Sequence, residues 1–139
     1  MKNRILLPIL LMLVSMVFLG SSCKKVADEI VGSWDMMTYD TKPDGTLQII
    51  FDENSNATRI LESDSGIKYD SCTYEVIQKP AKKRLIIRDS QMLSGYTDLN
   101  GVYRIDKVKN DIIIATRIEF EEDPTKGGAY LRMELKRKN

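Results

Sequence analysis

The sequence predicts an all-β protein: an eight-stranded antiparallel up-and-down barrel behind an N-terminal leader that is cut away. Three observations point there. After Gly32 the 139-residue chain falls into eight short runs, most with apolar residues at every second position, as strands with one buried face require. Hairpin-sized turns join most of these runs, and no helical pattern of useful length interrupts them. An antiparallel sheet of that size also leaves two exposed edges unless strand eight pairs with strand one. Closure at eight strands leaves an interior just wide enough for side chains or one small ligand.

The chain opens with Lys2 and Arg4, then an apolar run over residues 5–19, then Gly20, Ser21, Ser22 and Cys23. Positive charge, a short apolar stretch and small residues in that order make a secretory signal, and the run falls short of the roughly twenty residues a spanning helix needs. Leu19-Gly20-Ser21-Ser22-Cys23 resembles the lipobox of bacterial lipoproteins, with Gly20 where that pattern usually carries leucine. The resemblance implies cleavage before Cys23, a diacylglycerol on its thiol and a further acyl group on the new amino terminus. Such an anchor is stable where a single acyl chain would hold only marginally. On this reading residues 1–22 are the signal peptide, 23–31 a lipidated tether and 32–139 the barrel. The protein is then held in the bacterial cell envelope, at the periplasmic or surface face of the outer membrane. The alternative is an ordinary cleaved signal that leaves Cys23 as a thiol.

Losing Lys2 and Arg4 takes the formal charge from +1 to −1, so the mature chain has no basic field for nucleic acid. With Cys23 modified, Cys72 remains alone and no intrachain disulfide is expected. Tyr74 and Val76 share its strand face and favour a buried thiol.

The tether ends in one helical turn. Strand one (32–40) then opens with Gly32-Ser33-Trp34, which holds the only tryptophan. Gly32 permits a sharp bend at the narrow end of a barrel and the Trp34 indole plugs the hole, although a core tryptophan in any small β-domain would look the same. Lys42-Pro43-Asp44-Gly45 is a turn, since proline presets one dihedral and glycine supplies a positive one. Strand two (46–53) sets Leu47, Ile49 and Phe51 on one face. Strand three (57–63) has no clean face, because Arg59 alternates with Leu61 on one side and Ile60 with Glu62 on the other. Ser65-Gly66 turns the chain into strand four (68–77), which aligns Cys72, Tyr74 and Val76. Residues 79–83 make a basic hairpin tip, and strand five (84–89) turns Leu85 and Ile87 inward. Residues 90–97, the longest connection, carry Met92, Leu93 and Tyr96, which suit the covering of an opening. Strand six (101–108) aligns Tyr103 and Ile105, and Lys109-Asn110-Asp111 turns tightly. Strand seven (112–120) aligns Ile112, Ile114, Thr116, Ile118 and Phe120. After a loop at 121–128, strand eight (129–138) aligns Leu131, Met133, Leu135 and Arg137.

Taken in order, Gly32-Ser33-Trp34, Asp44-Gly45-Thr46, Tyr74-Glu75-Val76, Leu85-Ile86-Ile87, Tyr103-Arg104-Ile105 and the closing Leu135-Lys136-Arg137 resemble lipocalin-like domains of bacterial envelope lipoproteins. The resemblance spans residues 32–137. It implies a barrel floor of Gly32, Trp34 and Arg137, with the guanidinium stacked across the indole for about 0.5–2 kcal/mol. A solvated charge cluster, Lys136-Arg137-Lys138, is the alternative. Above the floor, inward parity gives a cup lined by Met36, Leu47, Ile49, Phe51, Tyr74, Val76, Tyr103, Ile105, Ile114 and Met133. The chain is shorter than a typical secreted lipocalin and lacks the long helix that usually follows the barrel, so the cup is expected to be shallow or filled.

The chain contains no histidine, which removes Ser-His and Cys-His nucleophile pairs and imidazole metal sites. It also has no glycine-rich phosphate cradle, CxxC pair or coherent carboxylate dyad. The acidic run at 119–123 is splayed by strand alternation, and Asp52, Glu53, Asn54 and Asn56 lack the glycine and closing glutamate of a calcium loop. No enzyme activity, cofactor or metal is therefore expected. Two roles remain: a binding module for a small hydrophobic molecule, or a filled barrel that meets a protein partner through residues 79–83 and 92–96. A cavity above roughly 300 Å³ favours the first. Intact-mass spectrometry of the membrane fraction is expected to show an acylated chain beginning at Cys23, and Cys23→Ala to remove the protein from that fraction. An unlipidated mature chain would refute the anchor.

Overall fold

Strands of alternating polarity bury one face only by meeting each other around a common axis, and that is the arrangement found. β1 (Gly32–Thr38), β2 (Thr46–Phe51), β3 (Asn56–Ser63), β4 (Gly66–Lys79), β5 (Lys82–Arg88), β6 (Gly101–Lys109), β7 (Ile112–Glu119) and β8 (Arg132–Arg137) form a closed antiparallel barrel in chain order. β8 returns to pair with β1, setting Trp34 opposite Arg137 and Met36 opposite Leu135. A short helix, α1 (Val26–Ile30), precedes the barrel. The computed structural model describes residues 25–38, 45–119 and 131–139. The expected signal peptide, Cys23, the turn residues Lys42, Pro43 and Asp44, Phe120, the loop at 121–128 and the first two residues expected of strand eight lie outside them. Among the described residues no helix is long and apolar enough to cross a membrane.

The inner face carries Leu47, Ile49 and Phe51 from β2, Cys72 and Tyr74 from β4, Leu85 and Ile87 from β5, Tyr103 and Ile105 from β6, and Met133 and Leu135 from β8. Two strands depart from expectation. β3 does have a clean inner face, Ala57, Arg59 and Leu61, with the arginine fully inside the barrel. On β7 the parity is opposite to that expected. Ile113, Ala115 and Arg117 are buried toward the axis, while Ile112 and Ile114 are only half-buried. Three consecutive isoleucines hide the alternation, and register shifts between β6 and β7 near Val102/Tyr103 and Ile105/Lys107 break the count carried over from β6. Thr116, on the outer face, is buried beneath its partner Asp106, whose carboxylate accepts its hydroxyl at 2.6 Å.

The helical turn expected at the end of residues 23–31 is present as α1, and it is packed into the barrel end as a plug. Val26 and Ile30, four apart on one helical face, are both buried in the core. β4 outlasts β3 and continues with β5 alone, and its Gln78 Oε1 accepts the Val26 amide at 2.8 Å. A helix this short leaves its final carbonyls without partners, and the barrel floor supplies the donors. Trp34 Nε1 donates to Ile30 O at 2.7 Å, Arg137 Nη2 to Glu29 O at 2.7 Å and Arg137 Nη1 to Val31 O at 3.3 Å. Arg137 Nε also donates to Asn110 O at 2.7 Å, so one side chain joins helix, strand and the β6–β7 turn. Its guanidinium carbon lies 4.1 Å from the Trp34 ring centroid, over a fully buried indole. Gly32 serves this approach twice. Its φ is +135°, and a Cβ there would stand 2.6 Å from Arg137 Nη1. Gly32→Ala is therefore expected to destabilise by about 1–3 kcal/mol. Arg137→Met should cost about 2–4 kcal/mol through orphaned carbonyls and the lost stack, and chemical denaturation measures both.

Candidate functional site

Hairpin connectivity gives the barrel two unlike ends. α1 and the turns after β2, β4 and β6 close one end. Among the described residues, the β3–β4 turn and the β5–β6 connection, residues 89–100, lie at the other, and the latter folds inward across it. Leu93 and Leu99 from this segment enter the core, while Met92 stays exposed. Leu93 and Tyr96 pair as an isolated β-bridge, which gives the segment a tight tip.

Buried charge roots this loop. Arg59 and Asp70 are register partners across β3 and β4, both facing inward, with Nη2 to Oδ2 at 3.0 Å and side chains 1% and 2% exposed. Each then reaches the loop. Arg59 Nη1 donates to Thr97 O at 2.9 Å and Nη2 to Gln91 O at 2.6 Å. Asp70 accepts Ser90 Oγ–H at 2.7 Å and the Gln91 amide at 2.9 Å. Ser90 Oγ in turn accepts the Leu99 amide, and Asn100 closes on Ser90 through both its amide oxygen and its amide nitrogen. From the far wall Arg117 Nη1 donates to Asn100 O at 3.2 Å, and Tyr103 OH to Leu99 O at 2.8 Å. Burial drives the Tyr103 hydroxyl pKa well above its ordinary value, so it remains a donor.

Beneath the loop lies a cavity of about 180 Å³, lined by Met36, Leu47, Leu99, Leu131 and Met133 and, on its polar side, by Arg59, Tyr96, Thr97 and Arg132. Met36, Leu47 and Met133 are thus the predicted lining residues that meet there. Ile49, Phe51 and Tyr103 are buried inside the barrel but do not line this cavity. Tyr74 packs edge to face on Phe51, with centroids 4.9 Å apart, and donates its hydroxyl to Asp52 O near the closed end. Val76 is half-buried and borders the groove beside α1. Ile105 sits at the β6 irregularity, and Ile114 points away from the axis, its place taken by Ile113 and Ala115. Gly32, Trp34 and Arg137 form the floor at the opposite end.

Hydropathy reading passed over Arg59 and Asp70, although a signal for them exists. Counting outward from the two-residue turn Asp64-Ser65 pairs Ser63 with Gly66 and, four steps on, Arg59 with Asp70. The loops at 79–83 and 92–96 belong to opposite ends and make no common surface. Cys72 is buried, and burial pushes its thiol up to about 12, which leaves it un-ionised and unreactive at neutral pH. Among the described residues no group of carboxylates or thiols converges to hold a metal ion. Comparison with protein-family models, curated proteins and solved structures finds no match for this chain.

Breaking a buried ion pair from one side strands a charge, whereas replacing both partners with apolar groups does not. Asp70→Ala and Arg59→Met are each expected to cost about 3–5 kcal/mol and to release residues 89–100 to fast amide exchange. The Arg59→Met/Asp70→Leu double variant should lose less than the two singles together, by over about 1 kcal/mol. A denaturation cycle with hydrogen exchange measures this, and additive losses would refute the coupling.

Proposed function

We propose that this protein is a lipid-anchored, lipocalin-like envelope lipoprotein whose barrel takes a small hydrophobic ligand, or the tip of a larger one, at its mouth. The observation that carries this reading is the apolar cavity under the β5–β6 loop, walled by Met36, Leu47, Leu99, Leu131 and Met133. Two unbranched methionines give such a wall room to adapt to its guest. Sites that enclose drug-sized ligands run to roughly 300–1,000 Å³. A space of about 180 Å³ falls below that range and below the roughly 300 Å³ that would favour ligand binding outright, so it leaves room only for a small guest. Anchoring through Cys23 is part of the proposal and rests on the resemblance of residues 19–23 to a lipobox.

The tight filling of the barrel favours a second reading, an interaction lipoprotein that binds a protein partner by its outer surface. Ile67 and Tyr69, on one strand with outward side chains 54% and 63% exposed, support it. The two readings separate in a titration of methyl-¹³C-methionine-labelled mature protein in lipid nanodiscs with 1-hexanol. Saturable shifts confined to Met36 and Met133, with the exposed Met37 and Met92 unmoved, are expected of the first. No saturable shift at Met36 or Met133, with a partner recovered by crosslinking from membranes, would replace it with the second.

A further inference from the structure

The β4–β5 hairpin outruns its neighbour. β3 makes its last pair with β4 at Asn56 opposite Thr73, while β4 and β5 stay paired as far as Lys79 opposite Lys82. At about 3.3 Å per residue, the hairpin therefore continues roughly 20 Å past that last pair. Its tip, Lys79-Pro80-Ala81-Lys82-Lys83-Arg84, holds four cations and no acid, and Lys79, Lys82 and Lys83 are exposed. Among the described residues none of these three lysines is held in an ion pair. Lys82, Lys83, Arg84 and Arg104 also border an open cleft of about 410 Å³, whose one carboxylate, Asp106, already accepts Arg104 Nε and Thr116 Oγ1, each at 2.6 Å. The tip and the cleft thus keep an excess of positive charge.

The position of the tip decides what that charge meets. Gln78, the residue before Lys79, accepts the Val26 amide at 2.8 Å, and Lys25 is exposed beside Val26. The hairpin is thereby fastened to the point where the chain runs back toward Cys23, at most about 10 Å of chain away. We propose that residues 79–84 are a membrane-docking surface, with Lys79, Lys82 and Lys83 set against the phosphates of anionic phospholipid head groups. The proposal rests on the lipid-anchored reading above. Acylation at Cys23 supplies nearness, and basic clusters next to an anchor are drawn to anionic lipid. The groove beside α1 carries Asp28, Glu53 and Glu75, and like charge keeps that side off the lipid. The molecule therefore leans on its hairpin.

The test places the acylated mature protein in nanodiscs of phosphatidylcholine alone, or mixed about three to one with phosphatidylglycerol, each with a head-group nitroxide lipid. Amide broadening is read at Ala81 and Lys82, with Gly66, at the opposite end of the barrel, as reference. Broadening at the tip should be at least about twofold stronger in the anionic discs and fall to the neutral-disc level when salt rises from about 0.05 to about 0.5 M. Lys79→Gln/Lys82→Gln/Lys83→Gln should abolish the difference, and Gly66 should stay sharp throughout. The lipid comparison uses the unaltered protein, so it decides even where the triple variant fails to fold. Equal broadening in both discs overturns the docking surface and leaves the anchor standing. A mature chain without acyl groups overturns the anchor; if it pellets with anionic vesicles and not with neutral ones the docking surface survives, and any other pelleting result overturns both.

Discussion

Two opposite charges facing each other across β3 and β4, inside a barrel, constrain everything at the mouth. Removing Arg59 and Asp70 from water costs several kcal/mol per ion, and their attraction offsets that only when further hydrogen bonds occupy the remaining donors and acceptors. Residues 89–100 supply those bonds: two carbonyls to the guanidinium, one hydroxyl and one amide to the carboxylate. The dependence runs both ways. Without the loop the pair would face solvent, and without the pair the loop would keep only Leu93, Leu99 and the links to Arg117 and Tyr103. The position of the loop is thus part of the core rather than a surface preference, and the cavity beneath it has a fixed ceiling.

The floor is held by a different logic. There a helix too short to satisfy its own carbonyls is completed by Trp34 and Arg137, contributed by the first and last strands of the barrel. Because β1 and β8 are also the pair whose union closes the sheet, the stack of Arg137 on Trp34 reports that closure has occurred. Gly32 is small for the sake of that arginine as much as for the bend in the strand.

Much of the architecture was legible because strand alternation and turn chemistry speak locally. Leu47, Ile49 and Phe51 declare their face without reference to anything else, and Gly32, Trp34 and Arg137 sit at the positions a plugged floor needs. Reading failed where the decisive partner is distant or where the residues are uniform. Ile112, Ile113 and Ile114 carry no alternation, so only the Arg117 contacts with the 89–100 loop and the β6 irregularities decide which way they turn. Arg59 looked like a blemish on β3 because its value depends on a partner eleven residues away, visible only once the register of the hairpin is counted. Val26 and Ile30 read as the end of a tether because a single turn has too few residues to show a face, and only the barrel end they fill gives them one. The cavity itself was beyond the sequence, since its size follows from how tightly large side chains below it interlock.

The placement of α1 fixes a polarity for the whole molecule. Lys25 adjoins the plugged end, and Cys23 stands two residues before it, a span of at most about 7 Å of chain. If acyl chains moor Cys23, the sealed base is pressed toward the bilayer and the chamber opens on the far side, into the aqueous compartment. A guest would then arrive and depart through water instead of sliding in from the lipid.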